Sequence, residues 1–221
     1  MKKITTIFII FLLVLTFLWA PSKVVQAATC SWTGAVNNDW TVSGNWQNCA
    51  GSIPTVSDMA VIPDSTSDPI IPTMIGVEVA SVTIENSAKL TLSSGSYLTA
   101  AIIQNGGMFE ANTGDGSACF IQGTGTFNNT GTLTAIGTGD LYIYPTFNNS
   151  GTVDLQANIV LFRGGTHTGE FMGGSASKYL FLGGDIANQT YSFEAASSIR
   201  AASLFIRSGT TNIKGTYWPP T

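Results

Sequence analysis

The feature that most constrains this chain is a repeat. Gly125-Thr-Phe-Asn-Asn-Thr-Gly-Thr-Leu-Thr134 returns, with its inner eight positions matched in type, as Pro145-Thr-Phe-Asn-Asn-Ser-Gly-Thr-Val-Asp154. The residues closing successive short apolar runs (Gln104, Gln122, Tyr144, Arg163, Leu182, Arg207) follow one another at intervals of 18, 22, 19, 19 and 25 residues. Short strands ending in Gly, Asn or Ser, with a period of about 20 residues, fit one coil of a solenoid. Propeller blades need about twice that length, and leucine-rich repeats would show a Leu ladder that is missing here. No stretch beyond residue 27 shows sustained helical periodicity with caps, so no helix is predicted there.

The expected fold is all-β, a parallel β-helix of about seven coils over residues 76–221, with a Trp- and Pro-rich cap region at 28–75. In such a coil, short strands pair with their equivalents above and below, and aliphatic residues stack inward. Gly and Asn tolerate the positive φ of the corners. Phe127 should then lie over Phe147, and Asn128 and Asn129 over Asn148 and Asn149, as aromatic and amide ladders. Counting the same interval onward from Phe147 places His167, the one histidine, in the Phe column. At strand spacing, seven coils make a rod about 34 Å long. An antiparallel β-sandwich is the runner-up, and it does not predict the recurrence.

Composition agrees. Only 10% of residues are charged against 44% hydrophobic, and Thr, Ser, Asn and Gly make up about two-fifths of the chain. Helical bundles use far more Glu, Lys, Arg, Leu and Ala. The regular Val, Ile, Leu and Phe give enough apolar area to exclude disorder. A formal charge of −4 excludes a nucleic-acid partner of the usual basic kind.

The first residues read as an export signal. Lys2 and Lys3 precede an apolar run from Ile7 to Ala20, Pro21 breaks it, and Val25-Gln26-Ala27 offers small residues at the cleavage positions. The run is short for a bilayer span and no second one follows, so no membrane insertion is expected after cleavage. Thr29 before Cys30 argues against lipidation. Removal of 1–27 leaves a charge of about −7, which favours solubility. The expected location is secreted or cell-surface. Export permits disulfides. Cys30 and Cys49 bracket a loop holding three Trp residues and are expected to pair, contributing about 3 kcal/mol in the chain-entropy model. Cys119 is read as a small buried hydrophobe, the alternative being a bridge to another molecule.

The segment Cys30-Ser-Trp-Thr-Gly-Ala-Val-Asn-Asn-Asp-Trp-Thr-Val-Ser-Gly-Asn-Trp46, with Ile53-Pro54-Thr55-Val56-Ser57-Asp58 and Val61-Ile62-Pro63, resembles the WTG…DW…NW module that opens many secreted bacterial surface proteins. In those proteins the module caps a right-handed β-helix similar to adhesin and autotransporter passenger stalks. The resemblance covers residues 30–75 and extends loosely to about 215. It implies architecture and says almost nothing about activity.

Chemistry-bearing residues are sparse. Trp32, Trp40 and Trp46 are able to stack on sugar rings, but covering the open solenoid end is the preferred reading. Asp58 is expected to bond its own turn. His167 lacks a nucleophile partner or a G-x-S-x-G elbow and is read as a packed ring. Asp115, Asp140, Asp154, Glu170 and Asp185 fall at different offsets and do not form the facing pair that glycoside hydrolysis needs. A calcium site at Asp115 or Asp140 lacks its Gly-rich nonapeptide. No catalytic residue, metal or other cofactor is expected. The chain is thus expected to be an exported, non-enzymatic solenoid acting as a structural or adhesive module, its partner an extracellular glycan or envelope component. A carbohydrate-binding or carbohydrate-active β-helix is the alternative, to be favoured by a groove along the rod with two or more carboxylates within sugar reach, or by a row of exposed aromatics.

Overall fold

The computed structural model describes residues 27–173, 178–184 and 186–218. The expected leader, save its last residue, and Asp185 lie outside them. Among the described residues, 21 strands and a single 3-10 turn (Ser43–Asn45) form one continuous sheet wound into a β-solenoid of about seven turns. All strand pairs are parallel except Thr29–Trp32 with Trp46–Gln47. The sandwich reading is thereby excluded.

Each coil has three faces. One, the amide face, carries Met59–Ile62, residues 81–84 and 102–105, Thr126–Asn129, Thr146–Asn149, Gly165–His167, Thr190–Phe193 and Thr210–Ile213. A charged face follows through Lys89–Leu92, Met108–Thr113, the first halves of Thr132–Ile143 and Thr152–Leu161, Glu170–Gly173 and Ser198–Arg200. The third, aromatic face carries residues 76–79 and 97–100, Cys119–Gln122, the second halves of Thr132–Ile143 and Thr152–Leu161, Tyr179–Leu182 and Ser203–Ile206. Strand side chains alternate, so every second residue of each face points into the coil. Because pairing is parallel and in register, equivalent residues form columns along the axis.

The core is built from those columns. Ala60, Val82, Ile103, Phe127 and Phe147 form one on the amide face, all fully buried. The Phe127 and Phe147 rings meet edge to face at 5.1 Å. Ile84, Asn105, Asn129, Asn149, His167 and Phe193 form the next. Here the structure corrects the expected register: His167 pairs with Asn149, not Phe147. The coil from Asn149 to His167 is shorter than the one from Asn129 to Asn149, and Gly165 takes the Phe position. A Cβ at Gly165 would stand 1.8 Å from the Phe147 carbonyl oxygen, so only glycine fits there. Through the central coils the corner glycine is what keeps register. Gly169 lies over Gly151 and Gly151 over Gly131, where a Cβ would meet the carbonyl below at 2.0 and 2.1 Å.

The stack runs through residue 75 without a break, since Thr29–Trp32 already pairs with Met59–Ile62. Trp32, Trp40 and Trp46 cluster over this end, with Trp46 edge-on to Trp32 at 5.1 Å and to Trp40 at 4.6 Å. A Cys30–Cys49 disulfide closes the loop that carries them, with Cα atoms 4.9 Å apart. Cys119 is a free, buried thiol on the aromatic face. Its Sγ lies near the carbonyls of Leu92, Ser93 and Asn112, and burial pushes its pKa up to about 12.

Candidate functional site

The inward positions are consumed by packing, so recognition depends on what the three faces turn outward. The cap tryptophans are not among these surfaces. Trp32, Trp40 and Trp46 are buried at 1%, 0% and 6% exposure, which leaves their ring faces against one another and the first coil rather than open to a sugar. Trp46 Nε1 donates to the Trp40 carbonyl, and Trp32 Nε1 to that of Ser67. Asp58 bonds its own turn, accepting from the Thr55 hydroxyl and amide and from the Ala28 amide. The Thr55 hydroxyl first, then the Ala28 amide, hold its carboxyl below the usual range.

His167 has no exposed surface. Its ring sits against Phe193 at 4.6 Å, Phe171 at 5.2 Å and Phe147 at 5.9 Å, and neither nitrogen has a partner. Burial alone drives its pKa down to about 3. A nucleophile or orienting acid within hydrogen-bond reach, which a proton carrier needs, is not among its described contacts.

The amide face has an inner and an outer ladder. Inside, Asn105 Nδ2 donates to Asn129 Oδ1 at 2.6 Å, and Asn129 Nδ2 to Asn149 Oδ1 at 2.7 Å. Each also donates to a backbone carbonyl past the corner, of Thr132, Thr152 or Glu170. Outside, Asn148 Nδ2 donates to Asn128 Oδ1 at 2.9 Å, and the Thr166 amide donates to Asn148 Oδ1. These outer amides border a shallow groove with Thr130, Ser150, Thr166 and Thr168, and the ladder takes up Asn128 Oδ1, Asn148 Oδ1 and one Asn148 Nδ2 hydrogen.

On the charged face, Lys89 pairs with Glu110 at 3.0 Å, and Asp154 shares the Glu110 column with Thr134 between them. Asp115 accepts from the Ser94 hydroxyl and the Ser117 amide, which hold its carboxyl below the usual range. Among the described residues, no group of three His, Cys, Asp or Glu side chains converges as metal ligands do.

The aromatic face is different. Its central outward column reads Tyr97, Phe120, Tyr142, Val160, Phe181 and Phe205, one residue per coil. Phe120 and Tyr142 stack with centroids 5.3 Å apart and planes 11° apart. Phe181 and Phe205 stack at 4.9 Å and 15°. A flanking pair, Tyr144 and Phe162, stacks at 4.3 Å and 11°. Polar groups line the row. Asp140 Oδ2 accepts from the Tyr142 hydroxyl at 3.0 Å, and its Oδ1 accepts from Asn158 Nδ2 at 2.8 Å. Burial, reinforced by Asp140, raises the Tyr142 pKa, so the phenol stays a donor. A cleft of about 150 Å³ opens between Tyr142 and Phe181, with Asp140 and Arg207 at its rim.

The sequence reading missed this row, although the signal was present. In Leu141-Tyr-Ile-Tyr144, Ile159-Val-Leu-Phe162 and Tyr179-Leu-Phe-Leu182, alternation with the aliphatic residues inward puts the aromatics outside.

A family model described as Domain of unknown function (DUF8693) matches residues 31–158. That span takes in the cap, the amide ladder and the Tyr142 half of the aromatic row. No curated protein and no solved structure matches the chain.

Proposed function

We propose that this chain, which belongs to the DUF8693 family, is an exported, non-enzymatic solenoid that works outside the cell as an adhesive or structural module. The observation that supports the adhesive form is the aromatic row, an outward column of rings that stack in pairs and is broken once, at Val160, on a parallel frame. Large aromatic faces held out from a sheet are a recognition surface, because they present contact area at little entropic cost. The expected leader at 1–27 and the cap disulfide support passage through an oxidising compartment. The same row is the feature expected of the carbohydrate-binding alternative, and it favours glycan binding as the mode of adhesion over the purely structural role.

Expression of the full chain in a bacterial host tests the reading. Intact-mass analysis of the exported fraction should show a polypeptide starting at Ala28, with Cys30 linked to Cys49 and Cys119 reduced. Retention in the cytoplasm as the uncleaved, fully reduced chain would overturn export. Depolymerisation of a polysaccharide by the purified protein would overturn the non-enzymatic reading.

A further inference from the structure

Stacked rings on a parallel sheet repeat at the strand spacing, and the central aromatic column is interrupted once. Tyr97, Phe120 and Tyr142 lie on one side of the interruption and Phe181 and Phe205 on the other. Val160 occupies the layer between Tyr142 and Phe181. Phe120 covers one face of Tyr142, and Phe205 covers one face of Phe181, both nearly parallel. The remaining face of each ring therefore looks across the Val160 layer at the other. The interruption is the cleft described above, with Val160 as its floor.

We infer that this cleft is a binding slot for a single pyranose ring of an uncharged glycan, which completes the aromatic ladder that Val160 leaves open. The proposal rests on the glycan-binding form of the adhesive reading. Thickness supports it first. Two strand spacings separate the Tyr142 and Phe181 layers by about 9.5 Å. A flat aromatic ring in van der Waals contact on both faces fills only about 7–8 Å. A puckered pyranose, with C–H bonds projecting from both faces, is thicker and takes up the difference. Its apolar faces meet the two rings, which is how sugars and aromatics satisfy each other's surfaces.

Polar chemistry at the rim points the same way. Asp140 is held in place by Tyr142 and Asn158, one bond to each oxygen, and each carboxylate oxygen retains a lone pair. A fixed carboxylate beside an apolar slot accepts from sugar hydroxyls, and with Arg207 in the same cleft the lining is net neutral, which suits an uncharged ligand. Arg207 lines the opposite side and supplies donors to ring or hydroxyl oxygens. Phe162 closes the slot laterally, tilted 45° to Tyr142 at 6.0 Å. Glycine at 184 is needed for that wall, since a Cβ there would stand 2.1 Å from the Phe162 ring.

The test fills the slot instead of emptying it. Val160 faces outward, so Val160→Phe adds a ring between Tyr142 and Phe181 without burying new volume in the core. The probes are the methyl glycosides of glucose, galactose, mannose and N-acetylglucosamine, with linear neutral oligosaccharides of the same sugars, followed by ligand-observed NMR at millimolar concentration. At least one probe should bind the wild type. Val160→Phe and Tyr142→Ala should each weaken it by about tenfold or more, while Met172→Ala on the charged face leaves it within about twofold. Urea midpoints confirm that each variant is folded. No binding by any probe, equal binding by wild type and Val160→Phe, or selective binding of free tryptophan or AMP in the slot would each overturn the proposal. None of these outcomes bears on leader cleavage or the cap disulfide, so the export reading stands or falls separately.

Discussion

At the scale of single residues, His167 has the sharpest consequence. It is a base with no described partner, packed among Phe147, Phe171 and Phe193, and its pKa falls from 6.5 to about 3 through burial alone. Below its unfolded pKa the unfolded chain takes up a proton that the folded chain refuses. The stability it permits is therefore complete above pH 6.5 and declines as pH falls toward about 3, at a limiting slope of about 1.4 kcal/mol per unit. Replacing it with Phe removes that dependence. The next rung of the column is already Phe193, and the exchange drops two unsatisfied nitrogens. His167→Phe should fold, match or exceed the wild type at pH 7, and lose less stability between pH 6 and 4. Urea titrations across that interval check it; parallel curves for the two proteins would show that His167 is solvated. The buried thiol Cys119 follows the same logic: its pKa is pushed up to about 12, and it should alkylate only after unfolding.

Elements add what residues alone do not explain. The inner amide ladder crosses three coils, and its central rung, Asn129, donates to Asn149 while accepting from Asn105. Asn129→Ala strands a buried donor on one side and a buried acceptor on the other, so it should cost about 2–4 kcal/mol. Asn128→Ala, its neighbour on the outer surface and bonded to Asn148, should cost less than about 1 kcal/mol because water replaces the lost bond. Equal urea midpoints for the two variants would contradict the inner placement. The ladder also shows what was legible beforehand. The repeat of Phe-Asn-Asn at 127–129 and 147–149 gave the pairing of those strands directly, since parallel in-register stacking leaves no other partner. The His167 coil was misplaced because a fixed interval was carried across a shorter coil. Its true anchor is the corner glycine, where backbone contact forbids any side chain, and aligning Gly169 with Gly151 recovers it. The aromatic row was passed over for a different reason. In sequence its strands are plain apolar runs, and only the parity of each run distinguishes a ring in the core from one on the surface. Val160 carries no signal at all in the sequence; its meaning depends on the rings one layer to either side.

For the whole molecule, the first and last described coils are held differently, and their stability should differ accordingly. A coil is held by its own packing and by its two neighbours, so a stack behaves as a one-dimensional array. The first strands are covered by Trp32, Trp40 and Trp46 and clamped by Cys30–Cys49. Among the described residues, Ser203–Ile206, Thr210–Ile213 and Thr216–Tyr217 pair on one side only, and Phe205, Ile206, Ile213 and Trp218 are exposed. Hydrogen exchange on the oxidised protein should then be slowest in residues 126–161, which have a neighbour on both sides, and fastest in 203–218. Removing the clamp with the double substitution Cys30→Ser and Cys49→Ser should cost about 3 kcal/mol by the loop-entropy estimate. If coupling passes only between neighbouring coils, that loss appears as faster exchange in residues 29–71, fading before residue 126, with the 203–218 rates unchanged. An equal acceleration at every amide would instead show that the coils open together as one cooperative unit, and that the cap stabilises the entire rod rather than its own end.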